Sequence, residues 1–175
     1  MIILDTNVLS ELLTPAPYAA VEAWLAEQPP TSVFTTTVTE AEILYGLRLL
    51  PDGRRRRHLE GAIVPIFRED LAGRILPFDS EAADVYATLA VERRKAGRPI
   101  SQFDAQIAAI ARSRGAALAT RNWHCHHQSL EPSAPVISGR RPIWILGTRS
   151  ASLRDCPRRH RLDELPIRTR DSRPP

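Results

Sequence analysis

The chain has 175 residues, 43% of them hydrophobic, which is enough for one domain with a sizeable core. No apolar run reaches the length of a membrane span, the amino terminus opens on a strand-like MIIL and not on a basic leader, and the two cysteines form no close-spaced pair. A membrane protein, a disulfide scaffold and a thiolate zinc site are therefore not indicated, and a cytoplasmic location is expected. The net charge of +4 is uneven: residues 1–122 carry 14 basic and 15 acidic groups, and residues 123–175 carry 10 and 5.

Ile2, Ile3 and Leu4 form a short apolar run ending at Asp5, after which Thr6 and Asn7 open a helical pattern through Val8, Leu9, Leu12 and Leu13. This reads as a buried strand feeding a helix. Tyr18 to Glu27 predicts a second helix, and Ser32 to Thr36 a β-branched strand. Val38 to Leu50 is strongly helical, and after the turn at Pro51, Asp52 and Gly53 a basic helix start follows at Arg54 to Arg57. Gly73 to Phe78 predicts a strand closing at Asp79, then a long helix runs from Glu81 to Ala96, stopped by Gly97 and Pro99. Asp104 to Arg114 predicts a further helix and Ala116 to Thr120 a fourth strand. Strands alternating with helices imply an α/β fold with a parallel sheet covered on both faces, and ligands in such sheets sit beyond the carboxyl ends of the strands.

Beyond Asn122 the pattern breaks. Residues 123–175 contain 7 prolines, 10 arginines and 4 of the chain's 5 histidines, and their only ordered-looking runs are Val136 to Ile137 and Ile143 to Leu146. A domain over 1–122, with a core extending to about 140, and an Arg/Pro-rich tail over 141–175 that is poorly ordered are expected. The stretch His124, Cys125, His126 and His127 could ligate metal, but side chains packed this tightly in sequence do not easily surround one ion.

Three acids stand in apolar or small-residue surroundings. Asp5 lies past the first strand. Glu42 shares its helix face with Val38, Tyr45, Gly46 and Leu49, whereas Glu40 falls in a row with Leu44 and Arg48 and reads as solvated. Asp104 shares a face with Ile107, Ala108 and Ala111. Two of them also have a structural explanation: Asp5 as a helix N-cap, and Ser101 with Asp104 as a capping box. Jointly, carboxylates placed at strand ends and on an apolar helix face suggest a site for a hard cation, and all-oxygen ligands suit Mg²⁺ or Mn²⁺.

The motifs MIILDTNVLSELL, TTTVTEAEILYGL, AGRILPFD and DAQIAAIARSRGAALATRN, in this order and spacing, resemble the PIN-domain ribonuclease toxins of the VapC and FitB type. The resemblance covers residues 1–122 nearly continuously. It implies a PIN-like α/β/α sandwich around a central parallel sheet. The implied activity is that of a Mg²⁺- or Mn²⁺-dependent endoribonuclease, the toxin of a type II toxin–antitoxin system, with a cognate antitoxin as partner and a homodimer as the usual assembly. DNA would be met only through the antitoxin, and no membrane is involved. Carried over by position, Asp5, Glu42 and Asp104 match the metal-binding catalytic acids, and Thr6 and Thr120 match nearby hydroxyl positions. Arg121 belongs to the last motif and is the cation nearest in sequence for RNA. Asn122 stands where some relatives carry a fourth acid and offers only a neutral carbonyl. The abrupt change after it is what a reading-frame shift in GC-rich DNA would produce. The alternative is a catalytically impaired module that binds an antitoxin or RNA without cutting.

Overall fold

The computed structural model describes residues 1–14, 16–121, 131–137 and 143–147. Strand β1 (Ile2–Leu4) leads through Asp5 into α1 (Thr6–Leu12), followed by α2 (Ala19–Ala26), β2 (Val33–Thr36) and α3 (Thr37–Arg48). Next come α4 (Arg54–Pro65), β3 (Ile75–Leu76), α5 (Ser80–Lys95), α6 (Gln102–Ser113), β4 (Ala117–Thr120), β5 (Glu131–Ile137) and β6 (Ile143–Gly147). The expected elements are present, with ends moved by a few residues. Two differ more: the strand expected over residues 73–78 pairs only at Ile75–Leu76, and α4 continues to Pro65, where a wider turn of helix takes over at Ile66–Asp70. Pro65 has no N–H to offer the regular ladder, which accounts for the change of winding there.

The six strands form one sheet in the order β3-β2-β1-β4-β6-β5. Strands β1 to β4 pair parallel, and β6 joins β4 antiparallel with Leu118 opposite Leu146 and Thr120 opposite Trp144. The sheet is thus mostly, not wholly, parallel, and β5 and β6 close its far edge as an antiparallel pair. It also takes in Ile143–Gly147, beyond the point near residue 140 at which the sequence pattern ended the core. The apolar run Ile143 to Leu146 stands out from the Arg/Pro-rich composition around it, and its Leu146 is fully buried.

Alternation along the strands sorts the core into two layers. Leu4, Val33 and Ala119 face one side with Val8 and Leu9 of α1, Val21 and Trp24 of α2, Ile43 and Leu47 of α3, and Ile63 of α4. Ile3, Leu118 and Leu146 face the other, against Ala82 of α5 and Ile107, Ile110 and Ala111 of α6. The result is an α/β/α sandwich. Gly97 and Gly115 end α5 and α6 with φ of 67° and 60°, a left-handed turn that returns the chain toward the sheet.

Candidate active site

The parallel strands bring the carboxyl ends of β1, β2 and β4 to one edge of the sheet. Asp5 follows β1 directly, and its main-chain N–H donates to Ala119 O at 3.0 Å, which ties it to β4. Its side chain, 1% exposed, accepts from Thr6 N at 2.7 Å, Asn7 Nδ2 at 2.8 Å and Thr120 Oγ1 at 2.6 Å. Asp5 is therefore both the N-cap of α1 and a carboxylate held at a strand end. Three donors aimed at it compensate part of the cost of burying an anion.

Glu42 arrives from α3, which Thr36 starts by accepting from Thr39 N at 3.0 Å. Thr6 Oγ1 donates to Glu42 Oε2 at 2.6 Å, so Thr6 links two of the acids, through its amide to Asp5 and its hydroxyl to Glu42. Partial burial holds the Glu42 carboxyl above the usual carboxylate range; the Thr6 hydrogen bond opposes this, while the charges of Asp5 and Asp104 add to it. Asp5 and Asp104 are thus the acids whose charges act on Glu42.

Asp104 sits in the first turn of α6, where Ser101 Oγ receives its main-chain N–H at 3.1 Å and donates to Asp104 Oδ2 at 2.8 Å. Its capping role is real and coexists with its proximity to Glu42. The donor chemistry of the three carboxylates fits a hard divalent cation. As the side chains stand, no three acid, histidine or cysteine groups among the described residues are drawn together closely enough to hold one.

Thr120 is fully buried and donates to Asp5. Arg121 differs from expectation. Its Nη1 lies 2.6 Å from Glu11 Oε2, an ion pair in which the Glu11 side chain is 7% exposed, and its main-chain N–H donates to Asn7 Oδ1 at 2.9 Å. This guanidinium is paired with a buried carboxylate. Asn122 and the stretch His124 to His127 lie outside the described residues.

Two residues of this network escape a reading of the sequence. Asn7 bridges Asp5 and the start of the β4 exit, and Glu11, whose other oxygen accepts from Tyr18 N at 3.2 Å, anchors Arg121. The available signal was their spacing of four on α1, which places both on one helix face beside Val8.

The raised Glu42 pKa has a consequence for stability. Between the usual glutamate pKa and the raised folded one, the native state binds more protons than the unfolded chain. Stability therefore falls as pH rises through that window, and the loss is complete above it. Glu42→Gln removes this penalty and is expected to raise Tm at neutral pH by about 2 °C and to flatten the decline. Thermal unfolding from acid to neutral pH measures it; an unchanged or lower Tm with an unaltered pH slope would contradict the electrostatic account.

A family model described as PIN domain matches residues 2–128. The chain is 41% identical over 126 residues to "VapC ribonuclease Y4jK" of Sinorhizobium fredii, covering 70% of this chain and 87% of that protein. It is 40% identical over 126 residues to "Toxin FitB" of Neisseria gonorrhoeae, covering 70% and 88%. The crystal structure of FitAcB from Neisseria gonorrhoeae superposes with a TM-score of 0.69 at 36% identity, covering 74% of this chain and 93% of that one.

Proposed function

Because this chain belongs to the PIN domain family, we propose that it is the toxin of a toxin–antitoxin pair and that it hydrolyses RNA phosphodiester bonds with the help of Mg²⁺ or Mn²⁺. The observation that carries the reading is the placement of Asp5 directly after β1, Glu42 on α3 and Asp104 in the first turn of α6, near enough that the charges of Asp5 and Asp104 add to the effect of burial in raising the Glu42 carboxyl. Relatives named as a VapC ribonuclease and as the toxin FitB support the substrate class and the biological role.

Asp5, Glu42 and Asp104 would hold the metal ion, whose chemistry at such a site is Lewis-acid polarisation of water and phosphate oxygens. The chain's own contribution is position and charge. Asp5 is locked by three donors and cannot drift. Glu42 is held in orientation by the hydroxyl of Thr6, which donates to its Oε2. Asp104 approaches from the opposite helical layer, so a phosphodiester would lie between elements anchored on both faces of the sheet.

The antitoxin partner is supported by the solved relatives, which include FitAB bound to a DNA fragment. On this reading, DNA is contacted through the partner and the toxin forms a homodimer. Tyr45 and Leu49, each 66% exposed on the outer side of α3, supply apolar surface of the kind a protein partner covers.

Induced expression of the full chain in a bacterial host is expected to arrest growth, and expression of Asp5→Ala is not. Arrest by both proteins equally would reject the catalytic reading. One observation favours a second reading, a module that binds an antitoxin or RNA without cutting: the described carboxylates do not close on a common point. Such a module would bind its partner yet leave growth and RNA intact.

A further inference from the structure

The phosphate contacts of an RNA-cutting site must come from cations that are not already paired, and Arg121 is paired with Glu11. Arg112 and Arg114 of α6 are likewise engaged, with Glu92 and with Asp79 and Glu81. The end of α5 and the loop after it differ: Arg94, Lys95 and Arg98 are all exposed and join no ion pair among the described residues. These cations immediately precede Ser101 and Asp104 in the chain. Beside them, a cavity of about 540 Å³ opens between α5 and α6, lined by Tyr86, Arg94, Ile100, Gln102 and Ala105 among others. Phe103, next in sequence to both Gln102 and Asp104, presents its ring to solvent with 53% of the residue exposed.

Resting on the ribonuclease reading above, we propose that this α5–α6 corner is a single-stranded RNA subsite. A base enters the cavity or stacks on Phe103, and the flanking phosphates lie on Arg94 and Arg98. Three observations point to this chemistry together. Unpaired cations match a polyanion, an exposed aromatic ring matches the face of an unpaired base, and the concavity is large enough for a nucleotide. Gln102 adds an amide edge that can donate to and accept from a base. Duplex RNA would not present its bases to such a recess, so single-stranded segments are the substrate class.

The test is binding of a short fluorescent single-stranded RNA of mixed sequence to the full chain, carrying Asp5→Ala to prevent cutting, in buffer without divalent metal. Each lost phosphate contact lowers the slope of log affinity against log salt by about 0.7. The pair Arg94→Ala with Arg98→Ala is therefore expected to lower it by roughly twice that, and Arg54→Ala with Arg57→Ala to leave it unchanged. Phe103→Ala is expected to weaken binding about tenfold, with Phe103→Tyr restoring it. The four arginines and Phe103 are exposed, so thermal unfolding unchanged from that of the Asp5→Ala parent confirms that the fold is intact. An unaltered salt slope in the Arg94 and Arg98 variant, together with full affinity in Phe103→Ala, would overturn the proposal. The outcome separates from that of the ribonuclease reading. RNA bound at this corner by a wild-type chain that does not cut it supports the subsite and rejects the enzyme, whereas a cutting enzyme indifferent to these substitutions does the reverse.

Discussion

Asp104→Asn is expected to lower RNA cleavage by about 10³-fold or more while leaving Tm within a degree or two of wild type. The substitution keeps the size and planar shape of the side chain, and the main-chain N–H of residue 104 still reaches Ser101 Oγ, so the cap of α6 survives. What is lost is one unit of negative charge beside Glu42, where the Asp104 charge helps to raise the pKa. A hard cation that would otherwise draw on three anionic ligands would have two, and the neutral amide is a far weaker replacement. Initial rates on an RNA substrate, with unfolding curves of the same preparation, check both halves of the expectation. Cleavage at the wild-type rate would remove Asp104 from the site, and lost cleavage in an unfolded variant would show only that its capping role dominates.

Arg121→Ala is expected to destabilise the fold by about 3 kcal/mol, the low end of what breaking a buried ion pair costs, because the Arg121 side chain keeps 27% exposure while Glu11 keeps 7%. The truncation removes the guanidinium from the buried Glu11 carboxylate, which keeps its hydrogen bond from Tyr18 N. Tm is expected to fall by roughly 10 °C. The effect should be strongly non-additive: replacing Glu11 and Arg121 together by leucine removes both charges of the pair and is expected to recover most of the loss. The main-chain N–H that holds Asn7 persists in Arg121→Ala, so the residual folded fraction keeps Asp5 oriented and retains activity. Denaturant unfolding of the two single variants and the double variant measures the coupling. A single variant as stable as wild type would show that the pair contributes nothing.

The fold was legible because its signals are local and regular. The apolar run Ile2 to Leu4, the β-branched run to Thr36 and the glycine after α6 each carry their structural consequence in a few neighbouring residues. The site was legible in part for a different reason. Glu42 follows Val38 by one helical turn, and an acid in that row can be seen without coordinates, although Tyr45 and Leu49 further along the same row are exposed in the fold. Asn7 and Glu11 were not seen, since their meaning depends on Arg121, more than a hundred residues away, and an asparagine or glutamate on a first helix is ordinary by itself. The ion pair of Arg121 with Glu11 was not legible either, because sequence proximity to the acids says nothing of which carboxylate a guanidinium meets. Likewise Trp144, Ile145 and Leu146 form a strand whose partner is β4, and the prolines and arginines on either side hid that pairing.

The most direct measurement is cleavage of a mixture of total tRNA and ribosomal RNA by the purified full chain in Mg²⁺ or Mn²⁺, with EDTA and Asp5→Ala as controls. Discrete cleavage products that require the metal and vanish in the variant are the predicted result. A folded protein that leaves the RNA intact in both metals would contradict the assignment of Asp5, Glu42 and Asp104 as a ribonuclease site.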